Sequence, residues 1–260
     1  MVTHTKSDIS GVFRYQNAPA AIEWLVAALG FEKHSDHRTP NGLVAHADLR
    51  FGPSVIGVSS AAASDAKSPW ATVRQGLYVC VDDPDGFHDR ARNAGAEIVC
   101  PLTDLDYGSR DFTLRDPGGH LWAFGTYDMG ATKDEPAAWP ELRYSDAAQA
   151  VNWLERAMGF ERAAEIPDSS GTLVHAELRL GPSVLMLGPE MPGSEWPDAR
   201  QVVHLRVDDP DTHFARVKQH APVIVRQPQT APYGARFYAV RDPEGFLWWV
   251  SNYHPANIAA

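Results

Sequence analysis

The chain has 260 residues, 44% apolar and 22% charged, enough to bury full cores in one large or two ordinary domains. A formal net charge of −10, with no Lys/Arg stripe to offset it, argues against nucleic acid and anionic membrane surfaces as partners. The opening MVTHTKSDIS lacks a signal peptide's apolar core, no apolar run approaches span length, and the two cysteines, Cys80 and Cys100, fit a reducing compartment, so the expected location is cytoplasmic.

In chain order the predicted elements come in matched pairs. The first helix is NAPAAIEWLVAALGF at 17–31 and DAAQAVNWLERAMGF at 146–160. Asn17 and Asp146 are its N-caps, and Gly30 and Gly159 follow its last turn. Ile22, Leu25, Val26 and Leu29 make the apolar stripe in one copy; Val151, Leu154 and Met158 make it in the other. Alternating strands follow in GLVAHADLRFGPSV at 42–55 and GTLVHAELRLGPSV at 171–184. Short apolar strands come next at 55–58 and 184–187, then strands at 77–81 and 203–207 that lead into VDDPD in both copies. Asp83 and Asp209 cap a second helix with Pro84 and Pro210 at its first position. A strand at 97–100 and 222–225 precedes the closing hairpins, YGSRDFTLRDPGGHLW at 107–122 and YGARFYAVRDPEGFLW at 233–248. The offset changes from 129 to 126, which places a three-residue deletion before Gln201.

Each copy therefore reads strand–helix–strand–strand–strand, twice. The fold class is α+β, with four βαβββ modules in two tandem domains at 9–127 and 139–255, joined by a linker at 128–138.

This order, with LGF or MGF closing the first helix and RDPxGxLW closing each copy, resembles the vicinal oxygen chelate superfamily of glyoxalases, bleomycin-resistance proteins and extradiol dioxygenases. The stretch from His175 to Leu187 resembles its PhnB-like branch. The resemblance implies mixed sheets curled into cups with helices outside. It also implies a divalent metal on the cup floor. The family's ligand positions fall here on Ser10, Gly57, Gly76 and Ala123 in the first copy, and on Trp139, Met186, Val202 and Trp249 in the second. None carries a usual metal-ligating side chain, so no metal or other cofactor is expected.

Strand parity identifies the faces that point to the cups or to solvent instead. Ala45, Ala47, Leu49 and Phe51 make one face, and His46, Asp48 and Arg50 the other; Val174, Ala176, Leu178 and Leu180 likewise oppose His175, Glu177 and Arg179. Tyr78 shares a face with Cys80, and His204 with Arg206. A His beside a carboxylate suits acid–base work, which makes His46, Asp48, His175, Glu177 and His204 the catalytic candidates; structural pairing at the sheet surface is the alternative. Arg14 and Arg143 hold matched places on the first strands, and Trp249 offers an aromatic wall where Ala123 leaves space. Arg110 and Arg236 either clamp a ligand's anionic group or brace their hairpins. Tyr107 and Tyr233 are placed at the cup mouths, and Trp70 and Trp196 in the long loops 59–75 and 188–201. Arg115, Arg241, Trp122 and Trp248 read as structural, and the cysteines as free thiols unless their strands are neighbours.

Two functions follow as expectations. One is a protein that binds a small organic ligand, a drug or a metabolite, in a metal-free cup, as monomer or homodimer. The other is a metal-independent isomerase, epimerase or lyase built on the His–carboxylate pairs. A metal site relocated to His175, Glu177 and His204 is a third arrangement.

Overall fold

The structure is a computed structural model that describes residues 9–61, 75–106, 108–115, 119–128, 137–190, 201–220, 223–241, 243 and 245–253. Trp70, Trp196 and Tyr107, most of the 128–138 linker and parts of both closing turns lie outside the described residues.

The first copy runs β1 (Ile9–Tyr15), α1 (Ala18–Trp24), β2 (Glu32–Lys33), β3 (His37–Arg38), β4 (Val44–Phe51), β5 (Ser54–Ser60), β6 (Gln75–Cys80), α2 (Pro84–Asn93), β7 (Glu97–Asp104), β8 (Arg110–Arg115) and β9 (Leu121–Gly125). The second runs β10 (Ala138–Tyr144), α3 (Ala147–Met158), β11 (Glu161–Pro167), β12 (Leu173–Leu180), β13 (Ser183–Pro189), β14 (Gln201–Arg206), α4 (Pro210–Val217), β15 (Val223–Thr230), β16 (Arg236–Arg241) and β17 (Leu247–Ser251). These are the four βαβββ modules of the sequence pattern, with the strand after α1 broken into β2 and β3.

The helices start and stop where the local chemistry dictates. Asn17, Asp83, Asp146 and Asp209 each accept a backbone N–H two or three residues on, satisfying donors that the first turn leaves open. Gly30 and Gly159 end the first helices at φ +84° and +76°, a conformation that a side chain would strain. One expectation needs correction. α1 continues as a π-helical turn over Leu25–Leu29, and Val26 is 39% exposed instead of joining the stripe. The wider π turn rotates later residues out of the 3.6-residue phase, so Leu25, Ala28 and Leu29 point inward. Val174, expected on the packed face, is also 39% exposed at the start of β12.

Among the described residues the strands form two mixed sheets, each confined to one copy. The orders are β2-β4-β5-β1-β6-β9-β8-β7, with β3 on β4, and β11-β12-β13-β10-β14-β17-β16-β15. In both, the two modules meet antiparallel, at β1/β6 and at β10/β14. The hydrophobic cores do not follow this division. One core joins β6, β8, β9 and α2 of the first copy to α3, β12 and β13 of the second through Leu77, Trp122, Phe124, Val151, Leu154 and Leu178. The other joins β1, α1, β4 and β5 to β14, α4, β16 and β17 through Phe13, Leu25, Leu49, Leu205, Tyr238 and Trp248. Trp122 and Trp248 are fully buried, as expected of core residues.

Reciprocal polar bonds fix the same exchange. The serines of the two GPSV motifs cross between copies: Ser54 Oγ accepts from Ala138 N at 3.0 Å, and Ser183 Oγ accepts from Ile9 N at 3.0 Å. Arg216 of α4 donates to Ala28 O at 3.1 Å, at the negative end of the first helix. Beside it, half-buried His213 donates to Leu29 O at 3.1 Å and accepts from the Tyr238 hydroxyl. Burial moves the His213 imidazole down to about 4. No helix among the described residues is long and apolar enough to cross a membrane.

Candidate functional site

β4 places Ala47 and Leu49 in the core and turns His46 and Asp48 to the concave side, as parity requires. His46 Nε2 donates to Asp48 Oδ1 at 2.7 Å. Ser35 Oγ donates to Asp48 Oδ2 at 2.7 Å, and the Tyr127 hydroxyl donates to the same oxygen at 2.9 Å. Burial alone would raise the Asp48 carboxyl. The hydrogen bonds from His46 and Ser35, the His46 charge and Tyr127 outweigh it and hold the group below its ordinary value. Burial, and then the bond to Asp48, pushes the Tyr127 phenol up to about 12. Tyr127 lies just beyond β9, four places from β4 in the sheet order, so its bond to Asp48 requires a curled sheet.

The curl encloses a cavity of about 490 Å³. Val12, Arg14 and Ser59 line it from β1 and β5, His46 from β4, Tyr78 and Ala123 from β6 and β9, and Asp111, Phe112 and Thr113 from β8. Cys100, Thr103 and Leu105 contribute from β7 and just beyond it, and Tyr127 closes the far side. The Tyr78 hydroxyl accepts from Tyr127 N at 2.8 Å, and burial raises its pKa. Ser109 Oγ donates to Asp111. Cys80 and Cys100 are not bridged to each other, since β6 pairs with β1 and β9 while β7 pairs with β8.

The second cup repeats the frame and changes the filling. His175 Nε2 lies 3.4 Å from Glu177, and the Tyr253 hydroxyl donates to Glu177 Oε1 at 2.6 Å, the counterpart of Tyr127 on Asp48. His204 Nε2 donates to Glu141 Oε2 at 2.5 Å, and Arg143 pairs with the other Glu141 oxygen. Burial would raise the Glu141 carboxyl. Arg143, His204 and, more distantly, His175 overcome it and leave the group well below its usual range. Four rings then line up across adjacent strands, two pairs stacked and the middle pair tilted. Trp139 lies 6.4 Å from His204 at 12°, His204 lies 5.9 Å from Trp249, and Trp249 lies 4.3 Å from Phe237 at 9°. By the repeat offsets, the first copy has Ser10, Tyr78, Ala123 and Asp111 at these four places. At two of these places, Ala123 and Asp111, the first copy has no ring, and both residues line the cavity.

The structure thus brings His46, Asp48, Arg14 and Tyr78 to one cup, and His175, Glu177, His204, Arg143 and Trp249 to the other. Tyr233 sits 63% exposed at the second rim, edge-on to Tyr253 at 5.5 Å. Arg110 and Arg236 take the bracing arrangement, one of the two alternatives the sequence offered. Each makes a bidentate pair with a carboxylate on the first turn of the neighbouring helix, Arg110 with Asp85 at 2.7 and 2.8 Å and Arg236 with Asp211 at 2.8 and 2.7 Å. Their fork geometry is spent on bracing the hairpin, the alternative to a ligand clamp. Arg115 and Arg241 bond the turn carbonyls of Gly119 and Gly245.

Sequence reasoning missed Glu141, Tyr127, Tyr253 and Asp111. Glu141 had a signal: with Trp139 and Arg143 it forms one face of a strand whose other face is apolar. Tyr127 and Tyr253 stand at the repeat's own offset of 126. The family's metal positions do not suit a metal. Trp139 Nε1 donates to Met186 Sδ at 3.2 Å inside an apolar cluster, and the other places hold Ser, Gly, Ala, Val and Trp. No group of three or more His, Cys, Asp or Glu side chains among the described residues could hold a metal ion, which also removes the arrangement of His175, Glu177 and His204.

Residues 7–124 and 137–250 match the family model described as Glyoxalase/Bleomycin resistance protein/Dioxygenase superfamily. An uncharacterized protein of Mycobacterium tuberculosis (strain ATCC 25618 / H37Rv) is 30% identical over 130 residues, covering 46% of this chain and 76% of the relative. The Mn(II)-bound glyoxalase from Novosphingobium aromaticivorans superposes with a TM-score of 0.63 at 15% identity, covering 95% of this chain and 82% of that one. The 2,3-dioxygenase LapB from Pseudomonas sp. KL28 superposes at 0.65 with 11% identity, covering 99% and 96%. At these identities the likeness to the solved structures is one of fold.

Proposed function

The chain belongs to the glyoxalase/bleomycin resistance protein/dioxygenase superfamily, and from that premise we propose that it binds a small organic ligand, a drug or a metabolite, in its first cup without a metal. The observation that carries this reading is the 490 Å³ cavity at the place where the second copy stacks rings. Its size lies in the range of small-molecule sites, and Tyr78 and Tyr127 supply aromatic walls beside a few polar groups. The donor set supports the metal-free part, because the family's ligand places offer no cluster of N, O or S donors. The second cup, filled by Trp139, His204, Trp249 and Phe237, serves as scaffold.

A second reading rests on one specific contact. His46 lines the cavity, and Asp48 holds its Nε2 at 2.7 Å, which orients the ring and leaves the other nitrogen for proton exchange. With such a pair the first cup would work as a metal-independent isomerase, epimerase or lyase.

Native mass spectrometry of protein purified without a His-tag, against antibiotics and aromatic metabolites, tests both. One bound molecule per chain is the expected result. No binding across the panel, or stoichiometric metal by elemental analysis, would overturn the metal-free binding reading. Exchange of ligand C–H hydrogens with solvent deuterium, lost in His46→Asn, would move the conclusion from binding to catalysis.

A further inference from the structure

We infer that the ligand of the first cup is an uncharged, flat body of fused rings that lies across β9, β8 and β7. This rests on the reading of that cup as the ligand site. Strand register sets the shape. Tyr78 pairs with Ala123, Ala123 with Thr113, and Thr113 with Cys100, so one row crosses four adjacent strands on one face of the sheet. All four residues line the cavity. In the second copy the same row reads His204, Trp249, Ala239 and Arg226. The first copy thus has three small side chains, Ala123, Thr113 and Cys100, where the second has an indole at one end and a guanidinium at the other. Neighbouring strands lie about 4.8 Å apart, so these three residues floor a trough about 10 Å long, close to the length of two fused aromatic rings. Tyr78 stands at one end of the trough, and the edge strand β7 forms the other.

The charges around this trough are answered within the chain. Among the described lining residues they belong to Arg14 and Asp111, with His46 paired to Asp48. Arg14 is engaged inside the protein. Asp111 accepts from Ser109 and fills the space over Gly125, where a Cβ would collide with its carboxyl. His46 gives its Nε2 to Asp48, and Asp48 takes two further donors from Ser35 and Tyr127. The Tyr78 hydroxyl accepts from Tyr127 N. An ionic ligand would lose its hydration here and would also have to displace one of these bonds, so its transfer is unfavourable. A neutral ring system loses little on leaving water and gains contact with Val12, Leu105, Ala123 and the rings of Tyr78 and Tyr127. Ser59 and Thr113 bring hydroxyls to the lining, which suit a single polar substituent.

Calorimetric titration with naphthylmethanol, naphthoate, naphthylmethylammonium, benzyl alcohol and the saturated decahydronaphthylmethanol tests the class. Naphthylmethanol is expected to bind about tenfold or more tighter than either charged analogue, and about tenfold tighter than the single-ring and the saturated alcohols. Two variants test the placement. Cys100→Met narrows the trough at β7 and should bring naphthylmethanol to within about threefold of benzyl alcohol while leaving benzyl alcohol unchanged. Cys100→Arg copies the second copy's Arg226 and should reverse the charge preference, so that naphthoate binds tighter than naphthylmethanol. Melting curves accompany both, and Cys100→Met stands as the test if Cys100→Arg fails to fold. Naphthoate or naphthylmethylammonium binding as tightly as naphthylmethanol would overturn the uncharged class, and decahydronaphthylmethanol doing so would overturn the flat one. No response of naphthylmethanol to Cys100→Met would overturn its placement across β7. Each of these results leaves the cup as a site. Failure of every probe at millimolar concentration overturns the class, and the cup reading falls with it only if the wider panel also finds no ligand.

Discussion

Ala123→Trp should close the first cup. Ala123 lies opposite Tyr78 on β6 and Thr113 on β8, and its matched residue Trp249 already fills that place in the second copy. A buried indole covers roughly 150–250 Å². A ligand denied that contact loses about 4–6 kcal/mol at ~25 cal/mol per Å², a ceiling of roughly three to four decades. Because a ligand can shift within 490 Å³, the expected loss is about a hundredfold or more. Stability should change little. The indole enters a void in place of solvent, and residual overpacking of ~1 kcal/mol moves the midpoint by roughly 2–4 °C in a chain of this size. The assay is calorimetric titration of a ligand found by native mass spectrometry, beside melting curves. A folded variant that binds within about threefold of the parent would refute the argument, because the ligand would then not rest against Ala123.

Glu141→Gln takes the carboxylate away from half-buried Arg143 and from buried His204 and should cost about 3 kcal/mol in urea unfolding. The Glu141 carboxyl lies near 2 in the folded protein against an ordinary 4.5, so its contribution is complete above 4.5 and is lost as pH falls toward about 2. Unfolding at successive pH values should show that loss in the parent and a flatter curve in the variant. His213 gives a second slope. Its folded value of about 4 lies below the ordinary 6.5, so the unfolded chain takes the proton first and stability falls as pH drops from 6.5 to about 4. Replacing His213 with Gln should flatten that interval. Arg110→Ala and Arg236→Ala, at exposed braces, should leave ligand affinity within about twofold; a larger loss by titration would restore the clamp reading.

Much of the fold was legible because it is local. Caps at Asn17, Asp83, Asp146 and Asp209, glycines after the first helices, and the two-residue alternation through His46–Asp48 and His175–Glu177 each follow from chemistry within a few positions. The π turn that exposes Val26 was not legible, since the apolar stripe continues in the sequence while the backbone changes its period. The site was half legible. Parity put the His–carboxylate pairs and Tyr78 on the concave face, and comparison of the copies found Ala123 against Trp249. Arg110 and Arg236 were ambiguous because a fork-shaped cation looks the same in sequence whether its carboxylate comes from a ligand or from Asp85 and Asp211.

The sequence by itself determined the duplication, the module order and which faces are apolar, because these depend on spacing along one strand or helix. Tertiary structure decided which surfaces meet. Nothing in the repeat says that sheets close within copies while cores form across them. That follows from the GPSV serines and the α2 and α4 helices reaching the opposite copy, which are contacts between residues far apart in the chain. The same holds for the two cups. The side chains that differ between the copies were readable one at a time, but an aromatic column in one sheet and a cavity in the other arise only when adjacent strands bring four such differences into a row.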